Sequence, residues 1–348
     1  MSSLPLLSLL AFTVSCKSGE VGGEDKPEFP SGSDTSDEAS PDDPGEDVEE
    51  EDTAGPDTGE TADTGEAGDT AGTGDVQESF DQLPAVPLHT QGRWILDANG
   101  DRFKLASVNW YGFESLDLVA AGLEIAHISD IAAAIAGLGF NSVRIPFSLE
   151  MAESTDPVAS HVIAANPELE GRTPVEVLDE IIDALAREGL VVILDNHSSE
   201  AVWYSLENGL WYTDAYPESV WISDWEQLAW RYKDHPGVVG YDLRNELRNG
   251  ATWGGAPETD WKAAARRASD AILAIDPEKL IVVEGIGYGA NLNGVYYDPL
   301  ELSIPGRLVY SAHDYSWFHA EYPTYDSLAA ELGTWWGFLI VEGQPYTA

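Results

Sequence analysis

The feature that most constrains this chain is an alternation, from about residue 105 onwards, between short apolar runs and amphipathic, helix-like segments. The runs are nearly continuous in Val, Ile and Leu, as expected for parallel strands that are buried on both faces. Six such runs are present: LASVNW (105–110), SVRIPF (142–147), LVVILDN (190–196), VVGYDL (238–243), LIVVEG (280–285) and RLVYSAH (307–313). Alternation of this kind predicts consecutive βα units and an α/β fold.

Local signals indicate where elements begin and turn. The predicted helices cover 128–139, 173–189, 220–234 and 258–276. Thr173 is suited to be the N-cap of its helix and Gly189 to follow its C-terminus. Upstream, RWILDANGDRFKL (93–105) predicts a β-hairpin with Asn99 and Gly100 at its turn.

Each apolar run ends in polar or aromatic residues, which distinguishes between two α/β architectures. A (β/α)₈ barrel carries its functional groups at the carboxyl ends of many strands, whereas an open doubly wound sheet concentrates them at one switch point. No glycine-rich phosphate-binding motif follows the first run. We therefore predict a (β/α)₈ TIM barrel. The strand-end residues are Asn109, Trp110, Arg144, Asn196, His197, Asn245, Glu246, Glu284, His313, Asp314 and Tyr315.

The number of predicted units is smaller than a barrel requires. Six strand–helix units are found, the sixth ending with the segment 325–343, and a barrel has eight. Either two units are hidden in the long loops, or the sequence is truncated after the sixth unit. The long loops contain no further apolar run of strand type, so we expect truncation.

The first 83 residues predict export and a tether rather than a folded domain. The apolar stretch LPLLSLLAFTV (4–14) is too short to span a bilayer and ends before Cys16, as in a lipoprotein signal. We predict a signal with a lipid anchor at Cys16 (1–16), a disordered acidic linker (17–83) and a barrel domain (84–348). Plain secretion and a mis-assigned start are the alternatives at the N-terminus.

Charge and composition exclude several kinds of partner. The net charge is −45, which disfavours binding to nucleic acid or to an anionic membrane, so any membrane contact would be through the lipid anchor only. The linker's DTGE and DTAG units lack the spacing of a calcium-binding loop, and we interpret the linker as solvated. The single cysteine excludes an internal disulfide, and no histidine spacing typical of zinc sites occurs.

Five motifs occur in order at these strand ends: VNWYGFE, FNSVRIPFS, VILDNH, YDLRNE and HDY. Together they resemble glycoside hydrolase family 5, the cellulase-type retaining glycosidases with a (β/α)₈ barrel. The resemblance runs from about residue 91 to the end. It implies that Glu246 is the general acid/base, that Asn245 binds the sugar 2-hydroxyl, and that Arg144 keeps the nucleophile ionised.

The resemblance also implies roles for residues on neighbouring strands. His197 would lie beside the scissile sugar, and His313 and Tyr315 would flank the nucleophile. In this family the nucleophile is a glutamate that ends strand 7, a segment not found here, so we expect it beyond residue 348.

Retaining cleavage needs two carboxyl groups about 5–5.5 Å apart, one protonated and one ionised. Glu246 must therefore keep a proton, with a pKa raised by burial and by its partner's charge.

Glu284 is a weak alternative nucleophile, because its strand neighbours that of Glu246, and we expect it to contact sugar instead. Asp195 and Asp242 lie within strands, where a structural role is expected. The predicted substrate-binding residues are Asn109, Trp110, Trp211, Glu284 and Trp317.

The sequence thus predicts an exported, lipid-tethered, monomeric endo-glycosidase acting on β-1,4-glucan, without cofactor or metal. One alternative is a non-catalytic surface protein that binds glycans. Another is the same class of enzyme acting on mannan or a different β-glycan.

Overall fold

A computed structural model describes residues 80–202 and 208–341 of the chain. The predicted export signal with Cys16, and the linker up to residue 79, lie outside the described residues. The boundaries proposed for these segments therefore stay predictions.

The centre of the domain is a parallel sheet of six strands, β3 to β8, arranged in chain order so that each strand pairs with the next. Every strand lies within, or overruns by a residue or two, one of the predicted apolar runs, which confirms the α/β prediction. Six of the eight strands of a (β/α)₈ barrel are thus present among the described residues. The strands are β3 (Ser107–Asn109), β4 (Ser142–Ser148), β5 (Val191–Ser198), β6 (Val238–Asp242), β7 (Leu280–Glu284) and β8 (Leu308–Ser311).

Helices connect the strands and cover the outer face of the sheet. Thr173 caps α3 as predicted: its hydroxyl accepts from the N–H of Glu176, whose carboxylate accepts the N–H of Thr173 in return. The helices are α1 (Ile128–Gly137), α2 (Leu149–Glu153), α3 (Pro174–Arg187), α4 (Glu218–Tyr232), α5 (Trp261–Ile275), α6 (Asn293–Tyr297) and α7 (Tyr325–Trp335). Short 3₁₀ turns cover Ser160–Ile163, Pro167–Leu169, Ser316–His319 and Gly337–Ile340.

The N-terminal segment contains the predicted hairpin and a further strand that pairs before it. Strands β1 (His89–Gln91) and β2 (Trp94–Leu96) pair around Gly92, which adopts φ 54°. The predicted hairpin around Asn99 and Gly100 also forms: the N–H of Asp97 donates to the carbonyl of Asp101 at 2.8 Å, that of Phe103 donates to the carbonyl of Ile95 at 2.9 Å, and Leu96 and Arg102 form an antiparallel bridge. The sequence analysis did not predict the pairing of β1 with β2.

Two apolar clusters hold the sheet. The larger lies between the sheet and the helices and contains four fully buried tryptophans. The smaller lies on the inner face of the strands, where Leu88 and Ile95 from the hairpin segment pack against residues of β5, β6, β7 and β8. The four tryptophans are Trp211, Trp221, Trp225 and Trp261.

Among the described residues, none of the helices combines the length and the apolar character needed to cross a bilayer.

Candidate active site

Charged side chains from five consecutive strands meet at the carboxyl edge of the sheet. Because parallel strands end at the same edge, residues far apart in sequence become neighbours there. The contributors are Arg144 (β4), Asp195 and His197 (β5), Asp242 and Glu246 (β6 and the turn after it), Glu284 (β7) and His313 (after β8).

Arg144 is the hub of this cluster. Its Nη1 lies 2.9 Å from Asp195 Oδ2, its Nε 2.9 Å from Asp242 Oδ2, and its Nη2 2.8 Å from Glu284 Oε1. These three buried carboxylates have ligand atoms close enough together to hold a metal ion. However, the guanidinium already bonds each of them and supplies the positive charge, so the donor set does not need a cation.

Burial and the charge of Arg144 shift the pKa values of Asp195 and Asp242 in opposite directions, and the outcome differs between the two residues. Burial raises the pKa of Asp195, but Arg144 and His197 outweigh it and hold that pKa below its ordinary value. For Asp242 burial prevails over Arg144, and its pKa lies well above the ordinary value. The predicted structural role of both aspartates agrees with these contacts.

Glu246 is the carboxylate of the cluster that solvent can reach. Its side chain is 16% exposed, whereas those of Asp195 and Glu284 are completely buried. The residue has a left-handed backbone (φ 46°), and its N–H donates to Glu284 Oε2 at 2.7 Å. Its Oε1 accepts from His313 Nδ1 at 2.9 Å and from Tyr315 Oη at 2.8 Å.

His313 bridges two carboxylates. Its Nδ1 contacts Glu246, and its Nε2 lies 3.1 Å from Glu284 Oε1. Burial alone would lower the pKa of His313, but these two carboxylates outweigh burial and raise the pKa to about 10. The imidazole is therefore protonated near neutral pH and donates through both nitrogens.

Two neighbouring side chains set the proton affinity of Glu246 within the described part of the site. Burial raises its pKa, but the hydrogen bonds from His313 and Tyr315 reverse the effect, so the pKa of Glu246 lies below its ordinary value. The resemblance implies that His313 and Tyr315 flank a nucleophile, and the charge of that partner carboxylate, expected outside the described residues, would raise this pKa. Among the described residues both side chains bond Glu246 itself, and Arg144 bonds structural carboxylates.

Asn245 and His197 form the other side of the cluster. Arg144 Nη2 donates to Asn245 Oδ1 at 3.1 Å. The other amide atom, Asn245 Nδ2, lies at a distance of 3.3 Å from His197 Nε2. His197 Nδ1 contacts Asp195 Oδ2 at 2.7 Å. Burial lowers the pKa of His197, but Asp195 reverses this and raises it. The two residues predicted to contact sugar are thus oriented by the same buried ion pairs.

Buried tryptophans from two helices donate hydrogen bonds to main-chain carbonyl groups at the ends of the strands. Trp221 and Trp225 of α4 each donate to the carbonyl oxygen of Leu243 at 3.2 Å, and Trp261 of α5 donates to that of Glu284 at 3.0 Å. These carbonyls lie at or just after the ends of β6 and β7, where ladder pairing stops. The indoles therefore hold the main chain that presents Glu246 and Glu284.

Two of the predicted substrate-binding residues are corrected by the structure. Trp211 is fully buried and donates to Glu218 at 2.8 Å, so it presents no ring face to a sugar. Glu284 is also fully buried, within the cluster. The sequence positions of Trp211 and Glu284 do not indicate whether their side chains are buried or exposed.

The other three predicted substrate-binding residues differ in exposure. Trp110 is 7% exposed and donates to the carbonyl of Ala121 at 2.9 Å, so little of its ring is open. Asn109 is exposed at the end of β3. Trp317 is 62% exposed and stacks on Tyr315, with ring centroids 4.5 Å apart.

Sequence reasoning missed two residues near the site. Glu114, the last residue of VNWYGFE, lies close enough to His197 for their charges to interact, and burial raises its pKa. Arg244 is buried and donates to Asn196 Oδ1 at 3.0 Å and Ser199 Oγ at 3.2 Å. Glu114 lies in the motif VNWYGFE and Arg244 in YDLRNE, and membership of these motifs is the sequence signal that could have identified them.

A parallel βα sheet with an accessible glutamate at its carboxyl edge is an arrangement that a barrel-type glycoside hydrolase can use for its acid/base. Residues 96–339 match the family model described as cellulase (glycosyl hydrolase family 5). The chain therefore belongs to glycosyl hydrolase family 5.

Individual relatives agree with this assignment. The chain is 37% identical over 271 residues to an endoglucanase of Paenibacillus polymyxa, covering 72% of this chain and 67% of that protein. It is 38% identical over 236 residues to the major extracellular endoglucanase of Xanthomonas campestris, covering 64% of this chain but only 48% of that protein.

Solved structures show the same fold. The catalytic domain of the Xanthomonas endoglucanase matches with a TM-score of 0.65 and 35% identity, over 72% of this chain and 77% of that one. An endocellulase of Pyrococcus horikoshii, solved with cellotetraose, matches with a TM-score of 0.67 and 28% identity, over 76% of this chain and 81% of that one.

Proposed function

We propose that this protein is a retaining endo-glycosidase that hydrolyses β-1,4-glucan, with Glu246 as the general acid/base. The observation that carries this assignment is the exposure of Glu246 within a cluster whose other carboxylates are buried. The names of the relatives, endoglucanase and endocellulase, support a cellulose-type substrate.

The second carboxylate of the reaction is assigned to a residue outside those described, as the resemblance implies. Retention needs an accessible carboxylate about 5–5.5 Å from the acid/base. Within the described ranges, the carboxylates bonded to Arg144 have almost no exposed surface, so none of them can attack a sugar. A nucleophile placed beside Glu246 would add negative charge, which would raise the pKa of Glu246 towards the value a general acid needs.

The surroundings of Glu246 suit a sugar ring. Asn245, oriented by Arg144, is the proposed partner of the 2-hydroxyl, and His197 lies beside it. The stacked pair Tyr315 and Trp317 offers an exposed aromatic face on which the C–H groups of a sugar can pack. Trp317 and Asn109 remain proposed substrate contacts.

The decisive experiment is Glu246→Gln in the full-length protein, with Glu226→Gln on the exposed side of α4 as the matched control. Loss of a general acid/base should lower kcat on a soluble cellulose derivative by about 10²–10⁴-fold, because the leaving group is no longer protonated. The control should keep wild-type activity. Wild-type activity in Glu246→Gln would overturn the assignment.

Two measurements on the active protein complete the test. Proton NMR of the initial product distinguishes retention from inversion at the anomeric carbon. A rapid fall in viscosity relative to the release of reducing ends indicates endo cleavage. Binding to glucan without any cleavage would favour the non-catalytic alternative. Faster cleavage of mannan than of glucan would assign mannan as the substrate.

We also propose that the protein is exported and anchored through a lipid on Cys16, with residues 17–83 as a tether. The extracellular Xanthomonas relative supports export. Mass spectrometry of the mature N-terminus tests the anchor: a diacylglycerol-modified Cys16 is expected, and an unmodified N-terminus downstream of residue 16 would contradict it. Sedimentation of the delipidated protein tests the expected monomer.

A further inference from the structure

Glu284 has no exposed surface, yet both oxygens of its carboxylate are bonded to site residues. Oε1 accepts from Arg144 Nη2 at 2.8 Å and lies 3.1 Å from His313 Nε2. Oε2 accepts the main-chain N–H of Glu246 at 2.7 Å. A side chain that cannot reach substrate thus contacts the backbone of the acid/base and the histidine bonded to its carboxylate.

The bond to the N–H of Glu246 has a conformational consequence. Glu246 adopts φ 46°, a left-handed conformation that residues with a Cβ rarely adopt. Such a conformation persists only where the surroundings stabilise it. The carboxylate of Glu284 accepts the N–H in this conformation, and it therefore helps to aim the Glu246 side chain at His313 and Tyr315.

The loop after β7 encloses the Glu284 carboxylate. At Gly289, which has φ 74°, a Cβ atom would lie 2.9 Å from Glu284 Oε2 and 2.9 Å from His313 Cγ. Glycine thus lets the main chain pack directly on both groups. This close packing leaves little room for water, which strengthens the interaction between the carboxylate and the imidazole.

We infer that Glu284 is a positioning residue for the reaction: it fixes the backbone of Glu246 and keeps His313 protonated, and through both contacts it sets how readily Glu246 gives up its proton. The inference rests on the proposed function of Glu246. It replaces the expectation that Glu284 contacts sugar.

Several charged groups face His313, and they act in opposite directions. Glu284 and Glu246 raise the pKa of His313, whereas burial and Arg144 lower it. Asp195 and Asp242 are also close enough to interact with its charge. Glu284 is the strongest of the influences that raise this pKa, so neutralising Glu284 should lower it substantially. His313 would then lose its proton nearer neutral pH and cease to be a charged donor to Glu246.

The test is Glu284→Gln in the full-length protein, because glutamine keeps the size and one acceptor oxygen but removes the charge. The control is Asp276→Asn, a buried carboxylate beyond the opposite end of β7 that accepts from Tyr241 at 2.9 Å. The first readout is the titration of His313 by ¹⁵N NMR, assigned by the loss of its signals in His313→Gln.

In the wild type and in Asp276→Asn, His313 should remain protonated beyond about pH 8. In Glu284→Gln its titration midpoint should fall by more than about one pH unit. This readout does not depend on catalysis. If the midpoint shifts as expected but the wild-type protein cleaves no glucan, the electrostatic role stands and the proposed function fails.

The second readout is the pH dependence of cleavage. Glu284→Gln should lower kcat by at least about tenfold with little change in KM, and the alkaline limb of the kcat profile should move to higher pH, because a neutral His313 no longer lowers the pKa of Glu246. A lower kcat with an unchanged pH profile and unchanged His313 titration would overturn the inference, because loss of packing alone would give that result.

Two further measurements apply if Glu284→Gln does not fold. Glu284→Asp keeps the charge and should keep His313 protonated, so a fallen midpoint in that variant would overturn the inference. In the wild-type protein, a His313 that titrates near the ordinary histidine value would also overturn it.

Discussion

Arg144→Met should be the most informative single change in the site, because it removes the positive charge that three buried carboxylates share. The substitution preserves much of the apolar stem but leaves Asp195, Asp242 and Glu284 without their common partner. Breaking a buried ion pair by removing one member costs about 3–5 kcal/mol of folding stability. With three partners within 2.9 Å of the guanidinium, we expect the upper part of this range.

The pH dependence of this loss has a definite sign. The folded-state pKa of Asp195 is depressed, so its stabilising contribution is present above the unfolded-state value of about 3.9 and is lost as the pH falls. Without Arg144, burial dominates and raises this pKa, so the same group destabilises the variant as the pH rises. The difference in unfolding free energy between wild type and variant should therefore widen from about pH 4 to about pH 7.

The assay is urea unfolding of both proteins at these two pH values, with Arg267→Met as the control. Arg267 makes a bidentate pair with Glu218, at 2.6 and 2.7 Å, on the surface. An exposed pair of this kind contributes at most about 1 kcal/mol. The reasoning is refuted if Arg144→Met is no less stable than the control variant, or if its deficit narrows as the pH rises.

Two further substitutions test other parts of the fold, both by urea unfolding. Gly112→Ala should cost about 3–5 kcal/mol, because a Cβ at this left-handed position would lie 2.4 Å from the carbonyl oxygen of Val119. Gly100→Ala, where the space is open, should cost only about 1–2 kcal/mol, and equal losses would contradict the steric argument. Asp224→Asn should stabilise the protein by about 1–2 kcal/mol at about pH 8 and have little effect at about pH 4. Burial, with Glu153, raises the pKa of Asp224 to about 7, so the folded state loses stability as the pH rises from the unfolded-state value of about 3.9 to about 7; a gain independent of pH would be inconsistent with this cause.

The sequence predicted the elements of the fold well because the signals there are local. The apolar runs gave the strands of the sheet, and Thr173 marked the beginning of α3 because its cap is made within four residues of chain. The hairpin around Asn99-Gly100 was predicted, but the pairing of β1 with β2 was not, since Gly92 is a weaker turn signal. That pairing is supported by the packing of Leu88 and Ile95 under the sheet, which is a tertiary effect.

The residues that form the site were predicted more accurately than the contacts between them. Strand-end positions identified Arg144, Asn245, Glu246 and His313, because the topology brings such positions to one edge. Which carboxylate pairs with which base depends on side-chain directions across several strands, and no sequence spacing encodes these. The burial of Trp211 was missed for the same reason: the fit of its indole against Glu218 and the helices is decided only once α4 packs.

The hairpin under the sheet also bears on how the domain is assembled. Arg307 donates to the carbonyl of Leu88, 219 residues away in the chain, and Arg93 donates to that of Ile340, 247 residues away. Contacts with such separations form late, because closing so long a loop has an entropic cost that earlier contacts must first offset. A ribosome releases Leu88 and Ile95 long before it releases their partners. Leu88 and Ile95 therefore have no partner in the sheet until β5 has been made, and their apolar cluster is complete only when β8 follows. During this interval a chaperone could shield these two side chains from solvent.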